Sequence, residues 1–382
     1  DKPCRSDSEM RTLHADLLAK QLLGSPQPAI QMVFTPNDGG TTYNYSFDPT
    51  VNTNRAEALE LSFEPGGEYG KLQLRNNDKA IPNLIGYYID LGIGANTDSG
   101  LRYATYPRLW VKKQHNISGG SKEGPRTLKV LLELEGAFNI LREQLCLIGS
   151  APFHNDNFST LTGKTIYGVL EYMIETILYS TTGSLYAWGL NALGTQDDGI
   201  INSLIPEPTK DPENPLINAN APDSYQTFLE VIEYLLKPTG CYLRSKANID
   251  FEVVYPQSSD AVNVTYYSSL ADGFPFYEYN DSHFVRKTSA VRVYSDTSVA
   301  GDWSSFIQGD AWHDDDWDLS TGTYDGPYMN VTGIIVPDSR GIITSESQAD
   351  TIANLILNKA QAEVFGARVV TPFDGRIELY DK

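Results

Sequence analysis

A chain of 382 residues, 41% hydrophobic and 11% aromatic, is long enough for two or three apolar cores and too hydrophobic to be disordered throughout. Its formal net charge of -20 argues against a sequence-neutral grip on nucleic acid, because such binding comes from Lys and Arg neutralising phosphates. The same charge suits a surface that DNA passes without sticking.

Cys4, Cys146 and Cys241 are odd in number and widely spaced, without the C-x-x-C pairs of a zinc site, and are read as reduced. Cys146 in LREQLCLIG and Cys241 in TGCYL are expected to be small core hydrophobes. No apolar run approaches the ~20 residues that span a bilayer. The start DKPCRSDSEM lacks the pattern of a signal peptide, so a soluble protein is expected. The sequons Asn116-Ile-Ser118 and Asn263-Val-Thr265 therefore carry little weight. Without an initiator Met, and with ELYDK ending in strand-like sequence, a processed product or a segment of a longer one is expected.

From about residue 29 to 135 apolar residues alternate: Leu59, Leu61 and Phe63; Leu72 and Leu74; Ile89, Leu91 and Ile93; Leu128, Val130, Leu132 and Leu134. Period two means strands with one buried face. Pro65-Gly66-Gly67, Asn76-Asn77-Asp78 and Gly119-Gly120 punctuate them as in an antiparallel sandwich or barrel.

The period then lengthens. Ile166, Val169, Leu170, Met173, Ile174, Ile177 and Leu178 predict a helix with one buried face, begun by Thr162 and Gly163. In PDSYQTFLEVIEYLLKPTG, Asp223 and Gln226 resemble a capping box. Phe228, Leu229, Ile232, Leu235 and Leu236 form the stripe of that second helix, and Pro238 with Gly240 stops it. The intervening PEPTKDPENPLINANAPD reads as a surface loop.

CYLRSKANIDFEVVYP reads as a hairpin, followed by strands at AVNVTYYS and SAVRVYS. Residues 296–340 are expected to be mostly loop, apart from the apolar run Gly333 to Val336. In the last unit Ser345 and Gln348 cap a helix with an Ala349, Ile352, Ala353, Ile356, Ala360 seam, and Gly366 ends it in the left-handed conformation. A strand ARVVTPF, an Asp374-Gly375 turn and a final strand complete the expectation. No internal repeat of fixed period is present.

Chemical motifs are scarce. Gly163-Lys164-Thr165 lacks the glycine five residues earlier that a phosphate-cradling loop needs, since position 158 is Phe. Gly92-Ile93-Gly94 lacks the third glycine of a dinucleotide fingerprint and is read as a turn. No G-x-S-x-G elbow occurs, and none of the five histidines adjoins a Ser or Cys nucleophile motif.

The stretch AWHDDDWDLSTGTYDG is the exception. Asp314, Asp316, Asp318 and Asp325 fall at positions one, three, five and twelve of a calcium loop, which makes them a candidate calcium site. Leu319 stands where that loop needs glycine, and Asp325 is shorter than the usual bidentate Glu. His313 could also begin a transition-metal site, but contiguous side chains diverge, so a solvated acidic loop with Trp312 or Trp317 folded back is expected. No catalytic residue and no cofactor are expected. Trp303, Trp312, Trp317 and Tyr324 keep open a carbohydrate- or receptor-binding module, and an acidic pair would make a glycoside hydrolase.

Three stretches carry a resemblance: TIYGVLEYMIETIL; SYQTFLEVIEYLLKPTGCYLRSKANIDFEV; and ADTIANLILNKAQAEVFGARVVTPFDGRIELYDK. Their order after a β-domain resembles the tail hub, or baseplate hub, proteins of tailed bacteriophages and related tail-like particles. The resemblance implies an α+β, β-rich fold: tube-like antiparallel β-barrel or sandwich domains with an α-helical insertion and a C-terminal helix-strand-turn-strand. Expected divisions are an N-terminal β-domain to residue 140, an α-rich insertion over 141–245, a second β-domain over 246–340, and a closing unit over 341–382. The partners it implies are two further copies in a homotrimeric ring, a tail tube or distal tail protein, and a tip spike or fibre, with DNA passing through. The place it implies is the virion tail tip, with no lytic domain within this sequence.

Overall fold

The computed structural model describes residues 11, 13–22, 27–48, 51–119, 127–145, 164–178, 188–193, 197–204, 227–247, 250–257, 260, 262, 264–269, 273–283, 286–295, 307–312, 317–318, 323–324, 329–331, 334–338, 342–362 and 365–380. A helix that the periodicity did not announce, α1 (Ala15–Leu22), precedes eight strands. These are β1 (Pro28–Thr35), β2 (Tyr43–Phe47), β3 (Ala56–Glu64), β4 (Gly67–Arg75), β5 (Tyr88–Thr97), β6 (Gly100–Thr105), β7 (Leu109–Gly119) and β8 (Thr127–Gly136). They make one sheet in the order β2-β1-β5-β7-β8-β4-β3, with β6 paired to β5.

The alternation explains its core. Met32 and Phe34 of β1, Leu72 and Leu74 of β4, Ile89 and Leu91 of β5, and Val130, Leu132 and Leu134 of β8 bury in one cluster. The segment leading into β3 bonds back to β2: Ser46 N donates to Thr53 O and Arg55 N donates to Ser46 O, each at 2.9 Å. The sheet thus curls round its own core. Past that contact the outer edge of β3 has no strand partner among the described residues.

Two glycines correct an expectation. Gly92 and Gly94 form no turn; they lie within β5, opposite Thr105 and Tyr103 of β6. A Cβ on Gly94 would collide with the backbone of Arg102, so close approach of β6 is what requires glycine there.

Helix α2 (Ala137–Glu143) turns the chain out of the sheet, and α3 (Ile166–Tyr172) runs on as a π-helical turn over Met173–Leu178. The cap of α3 is Thr165, whose hydroxyl accepts from Gly168 N at 3.0 Å, in place of Thr162 and Gly163, which lie outside the described residues. Helix α4 (Phe228–Leu236) buries the whole expected stripe. Its capping box is Thr227 with Glu230, one turn later than Asp223 and Gln226, which also lie outside the described residues. The hairpin β10 (Tyr242–Ser245) and β11 (Asp250–Val254) forms as expected, with β9 (Gly189–Leu190) added in parallel to β11.

Short pairings follow: β12 (Tyr266–Tyr267) with β13 (Phe274–Pro275), β14 (Glu278–His283) with β22 (Phe365–Val370), and β15 (Arg286–Thr288) with β20 (Met329–Val331). Residues 296–340 hold more strand than expected. β16 (Ala290–Ser295) is flanked by β17 (Gln308–Trp312) and β21 (Ile334–Asp338), and β18 (Trp317–Asp318) pairs β19 (Thr323–Tyr324). The inward residues of β17 are Gly309 and Ala311, too small to register as an apolar alternation. They are small because α5 (Glu346–Ala362) lies against them: a Cβ on Gly309 would collide with the backbone of Ala349 and Asp350.

Ser345 caps α5 through Gln348 N at 3.3 Å, and Ala349, Ile352, Ala353 and Ile356 are buried, whereas Ala360 is half-buried. Gly366 does not end this helix; it lies in β22 opposite Ser282. The final strand is also absent. Residues 371–380 run as an irregular strap with a turn at 375–376.

A second core cluster joins α2, α3, α4, β9 to β11, β16, β17 and α5, reaching Trp110 of β7. Cys241 is buried in it, and burial pushes its thiol well above the usual range. Cys4, Cys146 and the loop over 206–223 lie outside the described residues. Among the described residues no helix is long and apolar enough to cross a membrane.

Candidate functional site

The candidate calcium ligands are not brought into view together. Asp314, Asp316 and Asp325, with His313, lie outside the described residues, and Asp318 is placed only by its backbone in β18. Among the described residues no group of three His, Cys, Asp or Glu is arranged to hold a metal ion. Trp303 lies outside the described residues. Trp312 ends β17 at 42% exposure, and Trp317 pairs with Tyr324 across β18 and β19.

The carboxylates that do converge are Glu252 and Glu378, and cations stand between them. Lys246 Nζ lies 3.3 Å from Glu252 and 2.7 Å from Glu378, and Arg244, fully buried, donates to Glu252 at 2.8 Å. This is an ion-pair network in which each acid lies against a base.

The network anchors the strap. Arg11 N donates to Arg376 O at 3.0 Å, while its guanidinium reaches Glu378 at 3.2 Å and lies 4.4 Å above the Tyr106 ring. Asp374, buried, accepts from the backbone N and the guanidinium of Arg376, and from the Tyr266 hydroxyl at 3.1 Å. Arg244 donates to Leu379 O at 3.1 Å. Tyr380 takes a left-handed φ of 69 and stacks on Tyr242 with centroids 4.6 Å apart, and burial pushes its phenol up to about 12.

Where the second core reaches β7 it is built of aromatic rings. Trp110 of β7 packs edge-on against Trp188 at 5.7 Å, Trp188 against Phe251 at 5.6 Å, and Phe251 against Phe138 of α2 at 5.5 Å. Beside them Glu68 of β4 is fully buried; burial raises its carboxyl to about 7, against the lowering effect of bonds from Ser245 and Ala137. Motif reading missed this group. The signal was its phase: Glu68, Gly70, Leu72 and Leu74 all point inward, so a carboxyl occupies a core position of the alternation.

Surfaces suited to other chains lie elsewhere. Among the described residues the ribbon β14–β22 has two strands, and Tyr279 (56%), Val369 (45%) and the adjoining Tyr277 (66%) are exposed on it. A two-stranded ribbon is marginal alone in water, and unpaired edges template further pairing. Acids and bases nearly cancel over residues 1–143, so residues 144–382 carry almost all of the -20 charge.

No family model matches this sequence, and no curated protein matches it. Solved structures do match it. The tail protein from Neisseria meningitidis MC58 matches with a TM-score of 0.53 at 11% identity, over 90% of this chain and 80% of that one. A 43 kDa tail protein of prophage MuSo2 from Shewanella oneidensis matches at 0.47 and 13% identity, over 88% of this chain and 81% of that one. The prophage tail protein gp18 from Listeria monocytogenes EGD-e matches at 0.43 and 9% identity, over 84% of this chain and 76% of that one. The chain thus has a β-rich α+β fold with antiparallel sheets, shared with the Neisseria tail protein.

Proposed function

We propose that this chain is a structural component of a phage-type tail: a hub at the tail tip, in which three copies form a ring between the tail tube and a tip spike or fibre. The observation that carries the reading is the set of strand borders without a partner among the described residues, the outer edge of β3 and the β14–β22 ribbon with its exposed Tyr277 and Tyr279. Ring contacts complete such borders without any covalent chemistry. The fold shared with the Neisseria tail protein supports the reading. So does the charge: an acidic lumen repels phosphates and lets DNA slide through. The work is geometric, and no enzymatic step is assigned.

Light scattering on the purified chain tests this, with negative-stain images alongside. A mass of three chains and ring-shaped particles are expected, and Tyr279→Glu should lower the mass while leaving the circular dichroism unchanged. A strictly single chain at every concentration would sink the proposal. The exposure of Trp312 at the end of β17 favours a second reading, a carbohydrate-binding surface, which predicts glycan-array signal from a single chain.

A further inference from the structure

Glu68 is fully buried where the curled sheet, α2 and β10 meet. Its Oε2 accepts from Ala137 N at 2.9 Å, its Oε1 from the Ser245 hydroxyl, and its backbone carbonyl from Asn139 Nδ2 at 2.7 Å. Two other elements, α2 and β10, thus fasten on one residue of β4. The carboxyl lies so close under Gly136 that a Cβ there would collide with it, so the chain has been cut back to glycine to admit it.

Among the described residues the carboxyl has no cation of its own. Its neighbour across β3 is Phe63, and on β8 Glu135 is held by Lys112. On α2, Arg142 donates to the Tyr69 hydroxyl and to Gly66 O, and Glu143 also belongs to Lys112. Arg244 on β10 and Lys246 just after it are committed to Glu252 and Glu378.

An ionised carboxylate there would be a buried charge supported by two hydrogen bonds, which is costly. A neutral carboxyl fits the same partners: one oxygen accepts from Ala137 N, and the O–H can donate to the Ser245 hydroxyl, which both donates and accepts.

We propose that Glu68 is a proton-dependent latch: neutral, it fastens the curled sheet to α2 and β10, and its ionisation loosens that junction. The latch lies within one chain and works whether or not copies assemble.

The sign follows from linkage. A carboxyl raised from 4.5 to about 7 binds its proton more tightly in the folded state, so stability falls as pH rises from 4.5 to 7 and levels off above. The test is urea unfolding of the full chain between pH 5 and 8, for the wild type and Glu68→Gln, with amide exchange followed over residues 137–139 and 243–246. The wild-type unfolding constant should rise on the order of 100-fold relative to Glu68→Gln across that range. Exchange at those amides should rise first, while that of the β4–β8 pairing stays slow. Parallel pH dependences in the two proteins would overturn the proposal, as would exchange rising evenly along the chain. Should Glu68→Gln not fold, infrared titration of the wild type decides: a protonated-carboxyl band lost around neutral pH supports the latch, and its absence at pH 5 refutes it.

Discussion

Gly309 shows how a single atom can hold two elements together. Its φ is not in the left-handed region; what it lacks is room, because the backbone of α5 at Ala349 and Asp350 occupies the place of a Cβ. Gly309→Ala should therefore cost about 1–3 kcal/mol, as an overpacked core does, whereas Gly119→Ala, with open space around it, should be neutral or stabilising. Denaturant unfolding of both variants checks the contrast. Glu68 makes a related point from the opposite side: it follows the same alternation as Leu72 and Leu74, so its burial was legible in the sequence. Its partner Ser245 was not, since 177 residues separate them and no pattern links a strand interior to the end of a distant hairpin.

Among elements, α4 separates what periodicity can and cannot specify. The stripe from Phe228 to Leu236 was legible because burial imposes the 3.6 spacing directly. The cap was not, because Asp223–Gln226 and Thr227–Glu230 satisfy the same three-residue rule and only the position of the first buried turn chooses between them. Thr227 N donates to Glu230 at 2.7 Å while Glu230 N donates back to the Thr227 hydroxyl at 3.3 Å. Thr227→Ala should thus destabilise by about 1 kcal/mol and Thr227→Ser should restore most of it, read as shifts in the urea midpoint. The strap fails differently. Arg376, Glu378 and Tyr380 alternate with Ile377 and Leu379 as a strand would, but their side chains find Asp374, Lys246 and Tyr242 instead of a pairing edge. Ion pairs between distant segments leave no periodic trace, which is why this part of the candidate site could not be read in advance.

For the whole molecule the decisive quantity is charge. Each copy carries -20, concentrated after residue 143, so bringing copies together adds like charge to like. The proposed contacts at the ribbon are apolar: Tyr277, Tyr279 and Val369 gain little from ionic strength themselves. Salt should therefore act mainly on the repulsion. At 0.01 M salt the Debye length is about 30 Å and neighbouring acidic lobes feel one another across a subunit; at 0.1 M it is about 10 Å and they largely do not. The ring proposed above should dissociate toward single chains at the lower salt and reassemble at the higher, with light-scattering mass as the readout. A mass that instead falls as salt rises would mean that copies are joined by ion pairs, and would move the interface from the aromatic ribbon to the charge-balanced outer face of the first sheet, where Lys112, Lys113, Glu133 and Glu135 lie.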